Sequence, residues 1–138
     1  MATKTWQQKF DQRKEPKVKR IDKRFADIPE NALMLIATPK IFADYIEQIP
    51  AGTLVSMTDI RKDLALTHGA THTCPVTTGI FLRIVAELNY EKYQAGTPLS
   101  EITPFWRAIA PNAPLAKKLS FDTEFLQKSL AAEQEINT

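Results

Sequence analysis

Cys74 is the only thiol in the chain, and it directly precedes Pro75, a residue suited to a first helical turn. A thiol at a helix N-terminus is drawn toward the thiolate, and His72 stands two residues away as a base. Single cysteines also commonly serve as small, inert core residues. Thr71, Thr73, Thr77 and Thr78 gather around the same helix start, with His68 and His72 nearby. Hydroxyls and helix-terminal amides donate to phosphate oxygens without reading base sequence; the same threonines also cap and solvate a turn. Farther on, Phe105, Trp106 and Arg107 follow Pro104. Adjacent rings either offer a platform for a base or fill a core. Arg107 either neutralises a phosphate or pairs with an internal carboxylate such as Glu87, Glu91 or Glu101, internal pairing being the favoured role. Asp59 and Asp63 share a helix face, with nothing beside them to complete an acid–base pair. There is no glycine-rich phosphate loop and no Ser/His/Asp order. One cysteine and two histidines make no zinc site, and no metal or cofactor is expected. Binding is better provided for than catalysis.

The residues around Arg107 carry a resemblance. Pro104-Phe105-Trp106-Arg107-Ala108-Ile109 is similar to the Pro-Cys-His-Arg-Val active-site motif of the methylated-DNA–protein cysteine methyltransferases. The proline, the arginine and the apolar tail are kept. Phe105 stands at the acceptor cysteine and Trp106 at the activating histidine. The likeness runs in order over about residues 39–134. Residues 42–56 resemble the family's helix, Ile-Pro-x-Gly turn and Val-Ser segment. Met57-Thr58-Asp59-Ile60 stands at its Tyr-Gly-x-Ile. Val76-Thr77-Thr78-Gly79 resembles its recognition-helix segment Arg-Ala-Val-Gly, and residues 126–133 resemble its closing helix. Met57 therefore replaces the tyrosine that helps extrude a nucleotide, and Val76 replaces the arginine finger. Phenyl cannot accept an alkyl group. The resemblance implies a winged helix-turn-helix domain, mainly α with a small β wing, like the methyltransferase C-terminal domain. It implies a non-catalytic, alkyltransferase-like DNA-binding protein of DNA repair, meeting alkylated or distorted duplex through the minor groove. Thr73, Thr77, Thr78, Gly79 and Arg107 are the expected DNA contacts. Met57, Val76, Phe105 and Trp106 are the expected lining of a base pocket. Two other classes stay open: a Cys74-dependent alkyl acceptor enzyme and a winged-helix protein-interaction module.

Composition bounds these readings. At 138 residues, with 43% apolar and 25% charged residues, the chain suits one compact domain plus a tail. No apolar run approaches the roughly 18 residues that span a bilayer, so no membrane partner is expected. No apolar leader core opens the chain, and a cytoplasmic location is the expectation. Residues 1–25 carry nine lysines and arginines against Asp11, Glu15 and Asp22, a balance of +6 in a chain of net +2. The remainder is thus −4. Residues 1–27 read as a flexible basic arm and 28–138 as the folded domain, with an anionic partner reached by the arm. Deleting the arm is then expected to weaken DNA binding and leave the melting temperature little changed.

The elements that must hold these residues follow from periodicity and breakers. Residues 32–37 form an apolar run read as a buried strand. Thr38 and Pro39 open a helix to about Gln48, broken by Pro50 and Gly52. Ser56 and Asp59 open a second helix, with Ile60 and Leu64 inward, ended by Gly69. Val76, Ile80, Ile84 and Leu88, flanked by Phe81 and Val85, define the apolar face of a third. Gly79 within it predicts close approach of another backbone. Arg107–Ile109 and Leu115–Leu119 are expected to pair as a hairpin wing across Pro111 and Pro114. Asp122 or Ser120 caps a closing helix that faces inward through Phe125, Leu126 and Leu130.

Overall fold

A computed structural model describes residues 4–12 and 15–136. The fold is mainly helical, with one small three-stranded sheet. Helix α1, Trp6–Phe10, opens with a reciprocal cap: the Thr5 hydroxyl accepts from Gln8 N, and the Gln8 side chain accepts from Thr5 N. A helix of one and a half turns has little stability of its own. It is held by packing on a later helix and by Phe10 against the main core.

Strand β1, Lys17–Arg20, pairs antiparallel with β2, Leu33–Ile36, in the register Lys17 to Ile36 and Arg20 to Leu33. β2 pairs parallel with the two-residue strand β3, His72–Thr73. The central strand buries Met34 and Leu35, as its apolar run predicts. This corrects the reading of a flexible arm. β1 is built from arm residues, and Ile21 directly after it is buried with Ile28, Ala32, Met34 and Cys74 in a second apolar cluster. Its three cations hid the strand, since all four of its residues are exposed.

Helix α2, Pro39–Glu47, begins where Thr38 accepts from Ile41 N at 3.2 Å, and it buries Phe42, Ala43 and Ile46. Helix α3, Met57–Thr67, begins at Ser56, whose hydroxyl accepts from Asp59 N, and it buries Ile60 and Leu64. Gly69 follows it at φ 72, a conformation that favours glycine. Helix α4, Pro75–Gln94, runs 20 residues, about 30 Å, and buries Leu82, Ile84, Val85, Ala86 and Leu88. The expected stripe is correct only in its C-terminal half. Val76 is 54% and Ile80 51% exposed. Steps of four overshoot the helical turn by about 40° each, so three steps carry Val76 about 120° away from the face of Leu88. Nor does another backbone approach Gly79: a methyl placed there would meet nothing within 4 Å.

The expected hairpin wing is replaced by 3₁₀ turns at Phe105–Arg107 and Pro114–Lys118, after an earlier one at Leu99–Glu101. Prolines 111 and 114 donate no ladder hydrogen bonds, and the turn buries Leu115 and Ala116 where a strand would have exposed alternate residues. Helix α5, Glu124–Ile136, has Asp122 Oδ1 accepting from its first amide at 2.9 Å. Ser120, the alternative cap, instead donates to Glu87.

Candidate nucleic-acid interface

The two exposed apolar residues of α4 do not stand alone. Val76 and Ile80 form the floor of an open groove of about 550 Å³, walled by Met57 from α3 and by Pro114 and Leu115 from the third 3₁₀ turn. Gly79 keeps the floor low, having no side chain to fill it. Arg83, one turn beyond Ile80, and Lys118 bring two cations to the rim, and among the described residues no carboxylate lines the groove.

A second cleft, of about 490 Å³, lies between α1 and α4 and shares Ile80 and Arg83 with the first. Lys4, Trp6 and Lys9 line one side; Thr77, Phe81 and Ile84 line the other. Lys9 Nζ lies 4.3 Å from the centroid of the Trp6 ring system, and the Arg83 guanidinium carbon lies 5.4 Å from it. Both cations thus sit within reach of the π-face. Arg83 Nε is 3.5 Å from a Glu87 oxygen and makes no hydrogen bond. Glu87 is 2% exposed, and its two oxygens accept from the amide and hydroxyl of Ser120. Arg83 is therefore anchored by charge while its guanidinium stays available at the groove.

Met57, Val76 and Gly79 are brought together in the first groove, and Thr77 reaches the second. The other expected contacts lie elsewhere. Thr73 is buried, donating to Arg61 O at 2.7 Å while its own carbonyl accepts from Arg61 Nε. Thr78 is buried and donates back to Cys74 O at 2.7 Å. Their hydroxyls are consumed within the fold, so neither is offered to phosphate.

Phe105 lines no cleft, and Trp106 only edges a separate depression of about 360 Å³ beside Arg107 and Glu133, away from both grooves. Both rings are buried among aromatic neighbours, with Phe105 edge-on to Trp106 at 5.4 Å and stacked on Phe125 at 5.7 Å. Phe105 thus fills core volume. Arg107 also turns inward. It donates from Nε to Glu133 Oε1 at 3.0 Å and from Nη1 to Ile49 O at 2.7 Å, and Nη2 donates to Glu133 Oε2. Its own carbonyl accepts from Val55 N at 2.8 Å. An internal partner is as expected, but it is Glu133 rather than Glu87, Glu91 or Glu101. Burial pushes the Glu133 carboxyl up; hydrogen bonds from Arg107 and from Gly52 N outweigh this and hold it below the usual glutamate range. The Trp106 indole N–H faces the same carboxylate and favours its ionised form, though at no hydrogen-bonding geometry.

Cys74 is buried in the second apolar cluster, and His72 Nδ1 lies against Thr71 Oγ1 at 3.0 Å. Asp63 accepts from the Tyr45 hydroxyl; burial, then this bond, raises the Tyr45 pKa well above its ordinary value. Arg61 clamps Asp27 through two bonds of 2.8 Å, and this pairing holds the Asp27 carboxyl low. Among the described residues, no group of His, Cys, Asp or Glu is placed to hold a metal ion, and no helix is long and apolar enough to cross a membrane.

Sequence reading missed Trp6, Lys9, Arg83 and Lys118 as groove residues. The signal for α1 was present as Thr5-x-x-Gln8, the capping pattern that places Trp6 on a helix. Val76, Ile80 and Arg83, at spacings of four and three, also mark one helical face. Set against protein-family models, curated proteins and solved structures, the chain matches none of them.

Proposed function

We propose that this chain is a non-catalytic, alkyltransferase-like protein that binds duplex DNA through the groove on the N-terminal half of α4. On this reading α3 and α4 act as the helix-turn-helix, the small sheet stands beside them in place of a hairpin wing, and the duplex presents its minor groove. The observation that carries the proposal is the groove itself. Met57, Val76 and Gly79, three positions that the methyltransferase resemblance assigns to the nucleotide side, share an apolar floor whose rim holds Arg83 and Lys118 and, among the described residues, no carboxylate. Phosphates attract the rim, while Met57, Val76 and Ile80 lie against sugar edges. With Phe105 in the core and Val76 in place of an arginine, the protein reads the backbone and shape of alkylated or distorted duplex without taking an alkyl group from it.

The test is duplex binding by fluorescence anisotropy across a salt series. The proposal expects log Kobs to fall linearly with log salt. Arg83→Glu with Lys118→Glu should weaken binding and flatten the slope by about 0.9 for each phosphate no longer neutralised. Binding that ignores salt, or is unchanged by both reversals, contradicts the proposal.

A further inference from the structure

We propose that the cleft between α1 and α4 holds an unpaired stretch of DNA strand, so that the preferred ligand is a junction between duplex and single strand. This rests on the duplex-binding reading and extends it along the same face. The two depressions adjoin, sharing Ile80 and Arg83, so a strand leaving the first comes next to the second. From Val76 to Ile84 the path follows about 12 Å of helix.

The chemistry changes along that path. The floor of the first groove is aliphatic, and among the described residues no aromatic ring lines it. The second has the Trp6 indole in its wall, with Phe81 opposite and Lys4, Lys9 and Arg83 around it. Among the described residues, Lys4 and Lys9 form no ion pair. Lys9 rests over the indole with no carboxylate to hold it there. Bases stacked on rings, with phosphates tracked by cations, are what single-strand binding requires. Bases within a duplex are already stacked on one another and offer Trp6 no face, whereas an unpaired base does. Among the described residues no carboxylate lines either depression, so one polyanion fits the whole length.

Anisotropy with the full chain tests this, using a blunt duplex and the same duplex bearing a short oligothymidine overhang. The overhang should bind about tenfold tighter, the effect of one well-stacked base. Trp6→Ala should remove that gain, so that overhang and blunt duplex bind alike; Trp6→Phe should keep most of it and shows that loss of the helix is not the cause. Trp6 emission, taken as the difference between wild type and Trp6→Phe with Trp106 common to both, should be quenched by the overhang alone. Equal affinity for both DNAs, or a gain that survives Trp6→Ala, overturns the junction site and leaves duplex binding standing. Wild-type protein that retains neither DNA overturns the duplex reading together with the junction.

Discussion

Arg107 and Glu133 join three parts of the chain at once. The guanidinium reaches the carbonyl of Ile49 and the carboxylate on α5, and that carboxylate accepts from Gly52 N. Both side chains are largely buried, so removing one leaves the other charge without a partner. Glu133→Ala should cost about 1–3 kcal/mol in urea unfolding, the usual result of leaving a partly buried charge without its hydrogen-bond partner. The pH dependence follows from the lowered carboxyl. Its contribution is complete above the ordinary value of 4.5 and is lost as pH falls through the lower folded value. Glu133→Gln should therefore lose less stability than wild type on acidification below about 4.5. At Phe105, truncation to alanine should cost about 3–5 kcal/mol, because the ring is core rather than platform. Intact-mass measurement after incubation with alkylated duplex should find no adduct on Phe105's motif or on buried Cys74. A stoichiometric adduct at Cys74 would install the acceptor-enzyme reading instead.

The helices α2 and α3 were legible because each begins with a hydroxyl cap and ends near glycine or proline: Thr38 with Pro39, Ser56 with Asp59, then Gly52 and Gly69. The start of α4 was also legible, but its exposed end was not, because a row spaced by four resembles a buried stripe until helical drift is counted. The sheet was half visible. β2 announces itself by an apolar run, whereas β1 is four exposed residues that composition assigns to a tail. The wing was misread because Leu115 and Leu119 are buried equally well by a 3₁₀ turn. Of the candidate site, Met57, Val76, Thr77 and Gly79 were legible through the resemblance. Trp6 and Lys9 were not, since their nearness to Arg83 depends on tertiary packing. One consequence belongs to α4 alone. Gly79 has ordinary helical backbone and open space at its α-carbon, so Gly79→Ala should raise stability by about 1 kcal/mol in chemical denaturation. A loss of stability would mean that a neighbour closes on it after all.

For the molecule as a whole, the basic N-terminal segment is part of the fold that presents the groove. Its strand pairs with β2, Ile21 enters the second cluster, and Phe10 packs on the first. Deleting residues 1–25 should therefore lower the melting temperature, the reverse of what its composition alone suggests. An unchanged melting curve would return it to the status of a solvated leader. On the proposed reading α4 presents its exposed N-terminal face to DNA. This is tested most directly by titrating duplex into isotopically labelled protein and mapping amide shifts. The amides of Met57, Val76, Gly79, Ile80, Arg83 and Lys118 should move first and furthest. Shifts confined to other surfaces, with those amides unmoved, would contradict it.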